Sequence, residues 1–291
     1  MKRVLLFLVT NIAVLLTLGV VANVVSAFLG TSLEGLIGQE YAHLAIFAFV
    51  YGFIGAFISL LLSKPIAKFS CGAHTIDGTE GEAERWLVST VEDLARRANI
   101  KTPEVAIYHG SANAFATGAF KNSALVAVST DITAQMTKEE LRAVLGHEIS
   151  HIANGDMVTL TLVQGVLNAF VLFFSRVLAQ LLSGGEKRRN SGFSYLLIVL
   201  ALQTLLGFVA SLIVFAFSRH REYAADAGSA RLLGTPQSMI AALRRLGNLQ
   251  PGVLPDSLKA FGIASKRSSS IFSTHPSLED RIDALQNMLP S

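Results

Sequence analysis

Residues 147–151 read His147-Glu148-Ile149-Ser150-His151, an H-E-x-x-H run. Positions four apart share one face of a helix, so two imidazoles can point at a single ion. Glu148 follows the first of them and can lean over the open side of that ion. There it would take a proton from a bound water. Two histidines and a base do not complete such a site, because a catalytic zinc ordinarily takes three protein ligands and a water.

The run lies on a helix whose start is signalled independently. Thr137-Lys138-Glu139-Glu140 has the form of a capping box, with Thr137 as the cap and Glu140 reaching back. The helix it opens carries Leu141, Val144 and Leu145 before the histidines and ends near Gly155. Upstream, residues 82–98 have helical spacing, with Trp86, Leu87, Val91, Leu94 and Ala95 on an apolar side. Residues 104–108 and 124–128 read as strands, the latter preceded by a turn-like Asn122-Ser123. Downstream, residues 222–233, 236–246 and 276–289 read as helices, the first stopping at Gly234. Residues 266–270 read as a basic, Ser-rich loop.

Composition sets the environment. Of 291 residues, 51% are hydrophobic and 15% charged, against about 25% charged in a soluble domain. Mean hydropathy is +0.49. Apolar stretches at 4–25, 41–62, 158–182 (interrupted by Arg176) and 194–218 can each supply the ~20 residues that cross a bilayer. The first is longer than the ~7–15-residue core of a signal peptide and reads as an uncleaved anchor. Lys2 and Arg3 precede the first span and Lys64 and Lys68 follow the second, while the connector at 26–40 has no Lys or Arg. The positive-inside rule therefore puts both ends of this hairpin in the cytoplasm. The connector of the second pair carries Lys187, Arg188 and Arg189, which conflicts with that rule if both helices cross fully. Polar residues Thr161, Gln164, Asn168 and Ser175 in one helix, and Thr204, Ser211 and Ser218 in the other, suit interhelical hydrogen bonding more than a substrate path. The division that follows is 1–63, a membrane hairpin; 64–156, a region with the H-E-x-x-H helix; 157–218, a second hairpin; and 219–291, a C-terminal region.

A net charge of +3 is too mild to argue for nucleic acid, and the single Cys71 excludes an internal disulfide and a Cys-based zinc site. A channel would use the polar helix faces but gives no reason for the histidine pair. A hairpin leaving the H-E-x-x-H helix and returning through residues 194–218 makes Glu222 the first carboxylate to re-emerge, with Asp226 one turn later. Asp226 would then accept a ring N–H from a ligating histidine. Spacing alone reads these two equally well as a solvated acidic face beside Arg219 and Arg221.

Four blocks together resemble a known family. Residues 146–156 (Gly-His-Glu-Ile-Ser-His-Ile-Ala-Asn-Gly-Asp), 221–226 (Arg-Glu-Tyr-Ala-Ala-Asp), 273–281 (Ser-Thr-His-Pro-Ser-Leu-Glu-Asp-Arg) and 113–116 (Asn-Ala-Phe-Ala) are similar to the signature blocks of the M48 membrane zinc metalloproteases. The resemblance implies a mainly α, gluzincin-type fold with about four membrane helices and a small β-sheet in a cytoplasmic catalytic domain. It implies one Zn²⁺ per chain, held by His147, His151 and Glu222, with Glu148 as base and Asp226 supporting a ligand. It gives His275 the developing oxyanion, Arg281 the organisation of the site through a carboxylate, and Asn113 a place in the substrate cleft. It also implies that a strand like 124–129 pairs with extended substrate. The expected protein is an inner-membrane endopeptidase acting on misfolded or membrane-protein substrates in stress-related quality control, with self-cleavage. The eukaryotic CAAX prenyl proteases share the blocks but have more spans and fit less well.

Overall fold

The computed structural model describes residues 39–183, 192–249, 273 and 275–288. The apolar stretch at 4–25 and the basic loops at 187–189 and 266–270 lie outside them. Three described helices are long and apolar enough to cross a membrane: α1 (Gln39–Cys71), α5 (Asp156–Leu182) and α6 (Gly192–Leu233). Between α1 and α5 lie β1 (His74–Ile76), α2 (Glu82–Arg97), β2 (Glu104–Tyr108), β3 (Ala114–Phe120), β4 (Ser123–Ser129), α3 (Thr130–Gln135) and α4 (Lys138–Asn154). After α6 come α7 (Gln237–Asn248) and α8 (Leu278–Gln286). The chain divides into two units, Met1–Ile58 with Thr161–Leu212, and Ser59–Leu160 with Ile213–Ser291.

In the first unit α1 and α5 approach through small residues. A Cβ on Gly52 would lie 2.7 Å from the backbone nitrogen of Ala169 and 2.9 Å from the Gly165 carbonyl oxygen. Without a hydrophobic drive between helices in lipid, such close backbone contact is what holds them. Four of the polar side chains expected to bond across helices bond within their own. Ser175, Thr204 and Ser211 donate to carbonyls three or four residues back, and Gln164 Nε2 donates to Asn168 Oδ1 at 2.8 Å. Each hydroxyl is thereby satisfied in place, which removes the need for a partner helix.

The second unit packs helices on a four-stranded sheet of order β1-β2-β4-β3. β2 and β4 are parallel; the other two pairings are antiparallel. β4 is thus hydrogen-bonded along both edges, and β3 is the terminal strand. Gly118 lies at a bulge in β3 with φ 135°, and a Cβ there would meet the Ser123 carbonyl oxygen at 2.5 Å. Val91 and Leu94 of α2, Val126 and Val128 of β4, Leu145 and Ile149 of α4, Met239 and Leu243 of α7 and Leu285 of α8 share one core. Each such side chain contributes about 1.5–3 kcal/mol by burial.

Helix α4 has the expected start. Thr137 Oγ1 accepts from the Glu140 N–H while Glu140 Oε2 accepts from the Thr137 N–H. It ends at Gly155, whose left-handed φ of 68° closes the last turn. Its neighbour α6 lies against it along a seam of small residues. A Cβ on Gly146 would sit 2.8 Å from Ser229 Oγ, and one on Gly228 would overlap Ser150 Oγ and lie 2.7 Å from Ser150 Cβ. Ser229 Oγ donates to the Ala143 carbonyl at 2.7 Å across the seam. Gly228→Ala is expected to cost about 1–3 kcal/mol by overpacking, because Ser150 Cβ cannot rotate away. Gly146→Ala meets a movable hydroxyl and gains up to about 1 kcal/mol of helix propensity, so it should be nearly neutral. Thermal unfolding of both variants in detergent checks that order.

Candidate metal centre

Every residue of the candidate site belongs to the second unit. His147 and His151 lie one turn apart on α4, and Glu222 comes from α6. His147 Nε2 and His151 Nε2 are 3.0 Å apart, and Glu222 reaches them at 3.5 Å through Oε2 and 3.3 Å through Oε1. A tetrahedral ion bonded at about 2.0–2.1 Å holds its donors roughly 3.3 Å apart. The three side chains therefore fit a small divalent cation.

The second ring nitrogens are also engaged. His147 Nδ1 lies 2.8 Å from Asp226 Oδ1, and Arg281 grips that carboxylate with both prongs, Nε to Oδ2 at 2.8 Å and Nη2 to Oδ1 at 2.7 Å. Arg281 Nη1 stands 3.6 Å from Glu222 Oε2. His151 Nδ1 lies 2.6 Å from Asp156 Oδ2. Carboxylates at these positions fix the tautomer and raise the basicity of the metal-facing nitrogen.

Asp156 was missed by sequence reasoning. Five residues along a continuous helix would point away from His151, but left-handed Gly155 breaks the helix and α5 starts at Asp156. The available signal was the glycine just before an acidic residue. Asp156→Ala is expected to weaken metal affinity about 10- to 100-fold, which competition with a chromogenic chelator measures.

The electrostatics suit a cation. Burial disfavours the charged imidazoles, yet hydrogen bonds to Asp226 and Glu222 leave the His147 pKa raised. Hydrogen bonds to Asp156 and Glu222 likewise outweigh burial and push His151 up to about 10. Burial raises Glu148, and the neighbouring histidines only partly oppose it. Neither Glu148 oxygen has a full hydrogen bond, though a weak pull from the Ala116 backbone reaches the carboxylate. Glu148, Asp156, Glu222 and Asp226 are buried, as are Arg221 and Arg281. With both imidazoles neutral, as ligands must be, four carboxylates against two guanidinium groups leave two negative charges, which one divalent cation would neutralise.

His275 is also brought to the site. Its Nε2 is 3.8 Å from Glu222 Oε2, and burial lowers its pKa while Glu222 pulls it the other way. Asn113 lies at the start of β3. Its amide N–H donates to Ser129 Oγ at 2.9 Å and its Oδ1 accepts from the Ala114 N–H at 2.9 Å. The first of these bonds joins the ends of β3 and β4, and Ala116 of β3 lines a cavity with Glu148, His151, Asp156, Met157, Arg221 and Glu222. The cavity has room for about one water molecule.

Comparison with known proteins accords with this geometry. Residues 82–289, which hold the whole site, match the Peptidase family M48. The chain belongs to peptidase family M48. M48 relatives match from end to end. A "Protease HtpX homolog" of Verminephrobacter eiseniae is 54% identical over 99% of this chain and 99% of its own length. One from Janthinobacterium sp. is 51% identical over 99% of this chain and 100% of its own. The crystal structure of S. mikatae Ste24p shares the fold, with a TM-score of 0.54 and 20% identity, over 96% of this chain and 66% of that one. As an M48 member with three membrane-length apolar helices and a His-His-Glu donor set, the chain is a membrane metalloprotease.

Proposed function

We propose that this M48 protein is a zinc-dependent endopeptidase of the bacterial inner membrane. Its substrates would be unfolded or membrane-protein chains handled in stress-related quality control, its own chain among them. The observation that carries the reading is the convergence of His147, His151 and Glu222 beside a buried carboxylate, Glu148, with no full hydrogen bond of its own. Two imidazoles and a carboxylate are a catalytic zinc set, with a fourth position left for water. Bound zinc would lower the pKa of that water toward about 7 and polarise the scissile carbonyl.

The protein's own groups do the rest. Glu148 accepts the water proton as the new C–O bond forms, then delivers it to the amine as the C–N bond breaks. Burial raises its pKa, which strengthens it as the base that takes the proton. His275, held toward its neutral form by burial, can donate a hydrogen bond to the carbonyl oxygen as charge develops there. Arg281 and Asp226 hold His147, and Asp156 holds His151, so that neither ring turns during the cycle.

One expectation needs correction. Residues 124–129 cannot pair with substrate, because β2 and β3 already occupy both edges of β4. The terminal strand β3 is strand-paired on one side only, though buried from Ala114 to Ala119, and it carries Ala116 beside Glu148. An extended peptide added there would be read mainly through its backbone. The division into two hairpins and two cytoplasmic regions, with the catalytic unit inside, remains the arrangement that Lys64 and Lys68 support through the positive-inside rule.

The test is metal removal. A chelator should abolish cleavage of a permanently unfolded protein by the purified enzyme, and stoichiometric Zn²⁺ should restore it. Cleavage that survives full removal of metal would refute the reading.

A further inference from the structure

Arg221 has no part in the chemistry above, yet it lies in the same cavity. It is the residue before Glu222 on α6 and lines the space bounded by Ala116, Glu148 and His151. The residue is 93% buried, 7% of its surface being exposed. Its Nη1 donates to the Asp156 carbonyl oxygen at 2.9 Å. Its Nε is sealed from solvent and has no hydrogen-bond partner. Among the described residues, no carboxylate lies within 4.0 Å of the guanidinium. Arg281, the other buried guanidinium of the site, is gripped by Asp226 through two bonds.

A buried guanidinium with one neutral partner and a solvent-sealed, unpartnered Nε–H is costly, since an unmade hydrogen bond forfeits solvation without return. The cost is relieved if an oxygen acceptor enters the cavity. Glu148 and Glu222 already have roles there, and the fork of an arginine suits a planar carbonyl or carboxylate. Ala116 brings β3, which is buried but strand-paired on its β4 side alone, to the same cavity, so a peptide admitted along its other side would present backbone oxygens toward Arg221.

We propose that Arg221 is a substrate subsite, which binds either a backbone carbonyl oxygen of the peptide or the carboxylate at its chain end. The assignment rests on the peptidase reading and adds a binding residue to it. Arg221 acts on affinity for the peptide, whereas Asp156 and Asp226 act on the metal.

The experiment uses full-length, zinc-loaded protein in detergent with Glu148→Gln, so that peptide binds without being cut. Fluorescence anisotropy reads Kd for an unstructured peptide in two forms, one with a free and one with an amidated C-terminus. Adding Arg221→Met is expected to weaken binding at least about tenfold, with zinc content and melting temperature unchanged. Weakening of both peptides assigns the subsite to an internal carbonyl; weakening of the free acid alone assigns it to the chain end. An unchanged Kd overturns the proposal, as does loss of zinc in parallel with peptide, which would make Arg221 part of the metal scaffold. If the Met variant does not fold, Arg221→Gln takes its place under the same criteria. A parent enzyme with Glu148 intact that cuts neither peptide would refute the peptidase reading instead.

Discussion

Glu148→Gln is expected to keep its zinc and its fold and to lose at least about 10³-fold in cleavage rate. A positioned acid–base group is worth roughly 10²–10⁴-fold, and this site holds no second carboxylate free to replace it. Glu222 faces the two histidines, Asp226 is gripped by Arg281, and Asp156 is bonded to His151. Substitution leaves the shape of the side chain unchanged and breaks no full hydrogen bond, because neither Glu148 oxygen has one. It also removes a charge from a buried position, so melting temperature should hold or rise. Single-turnover cleavage of an unfolded substrate, elemental analysis and thermal unfolding together decide the matter. Activity within a few-fold of the parent would mean that another group takes the proton.

Glu222→Ala should act on the metal first. The variant leaves two imidazoles, and metal affinity should fall on the order of 10³-fold or more, given that about 10–16 kcal/mol is spread over the ligands of a complete zinc site. The loss also removes the carboxylate 3.6 Å from Arg281 Nη1 and 3.8 Å from His275 Nε2. Arg281 keeps its two bonds to Asp226, but its buried Nη1 loses the carboxylate nearest to it, and stability should fall along with metal content. Zinc bound at full stoichiometry and parental affinity would remove Glu222 from the ligand set. The two variants differ in kind: one separates chemistry from metal binding, the other loses both.

The helix that carries His147 and His151 was legible because local rules agree there. The capping box, the apolar spacing and the terminal glycine all point to one element, and the structure has it as Lys138–Asn154. The strand at Glu104–Tyr108 and the helix from Glu82 were equally plain, since their apolar residues keep the period of the element. Strand β3 was not. Its residues Ala114, Ala116, Gly118 and Ala119 lack β-branched bulk, and it is a strand because β4 pairs with it. Strand β1 has three residues, too few for an alternation to be seen. Helix α6 passes from an apolar stretch into Arg219, His220 and Arg221 without a break. Composition marked that change of environment, but the backbone continues through it. At the site, Glu222 and Asp226 were candidates from the returning hairpin, read equally well as a solvated acidic face, and the resemblance to M48 chose the ligand reading and added Arg281; Asp156 depends on where the turn at Gly155 brings its side chain, and Arg221, on continuous α6, on what that helix face packs against.

The seam between α4 and α6 bears on more than packing. Gly146, Ser150, Gly228 and Ser229 have side chains too small to touch an ion, yet they set how closely the backbones carrying His147, His151 and Glu222 approach. The seam is a spacer gauge: one methyl group's thickness there is a sizeable fraction of a metal–ligand bond. A mutational survey scored by stability would group these positions with the ordinary core. Scored by which ion the protein retains, the same survey would group them with the ligands.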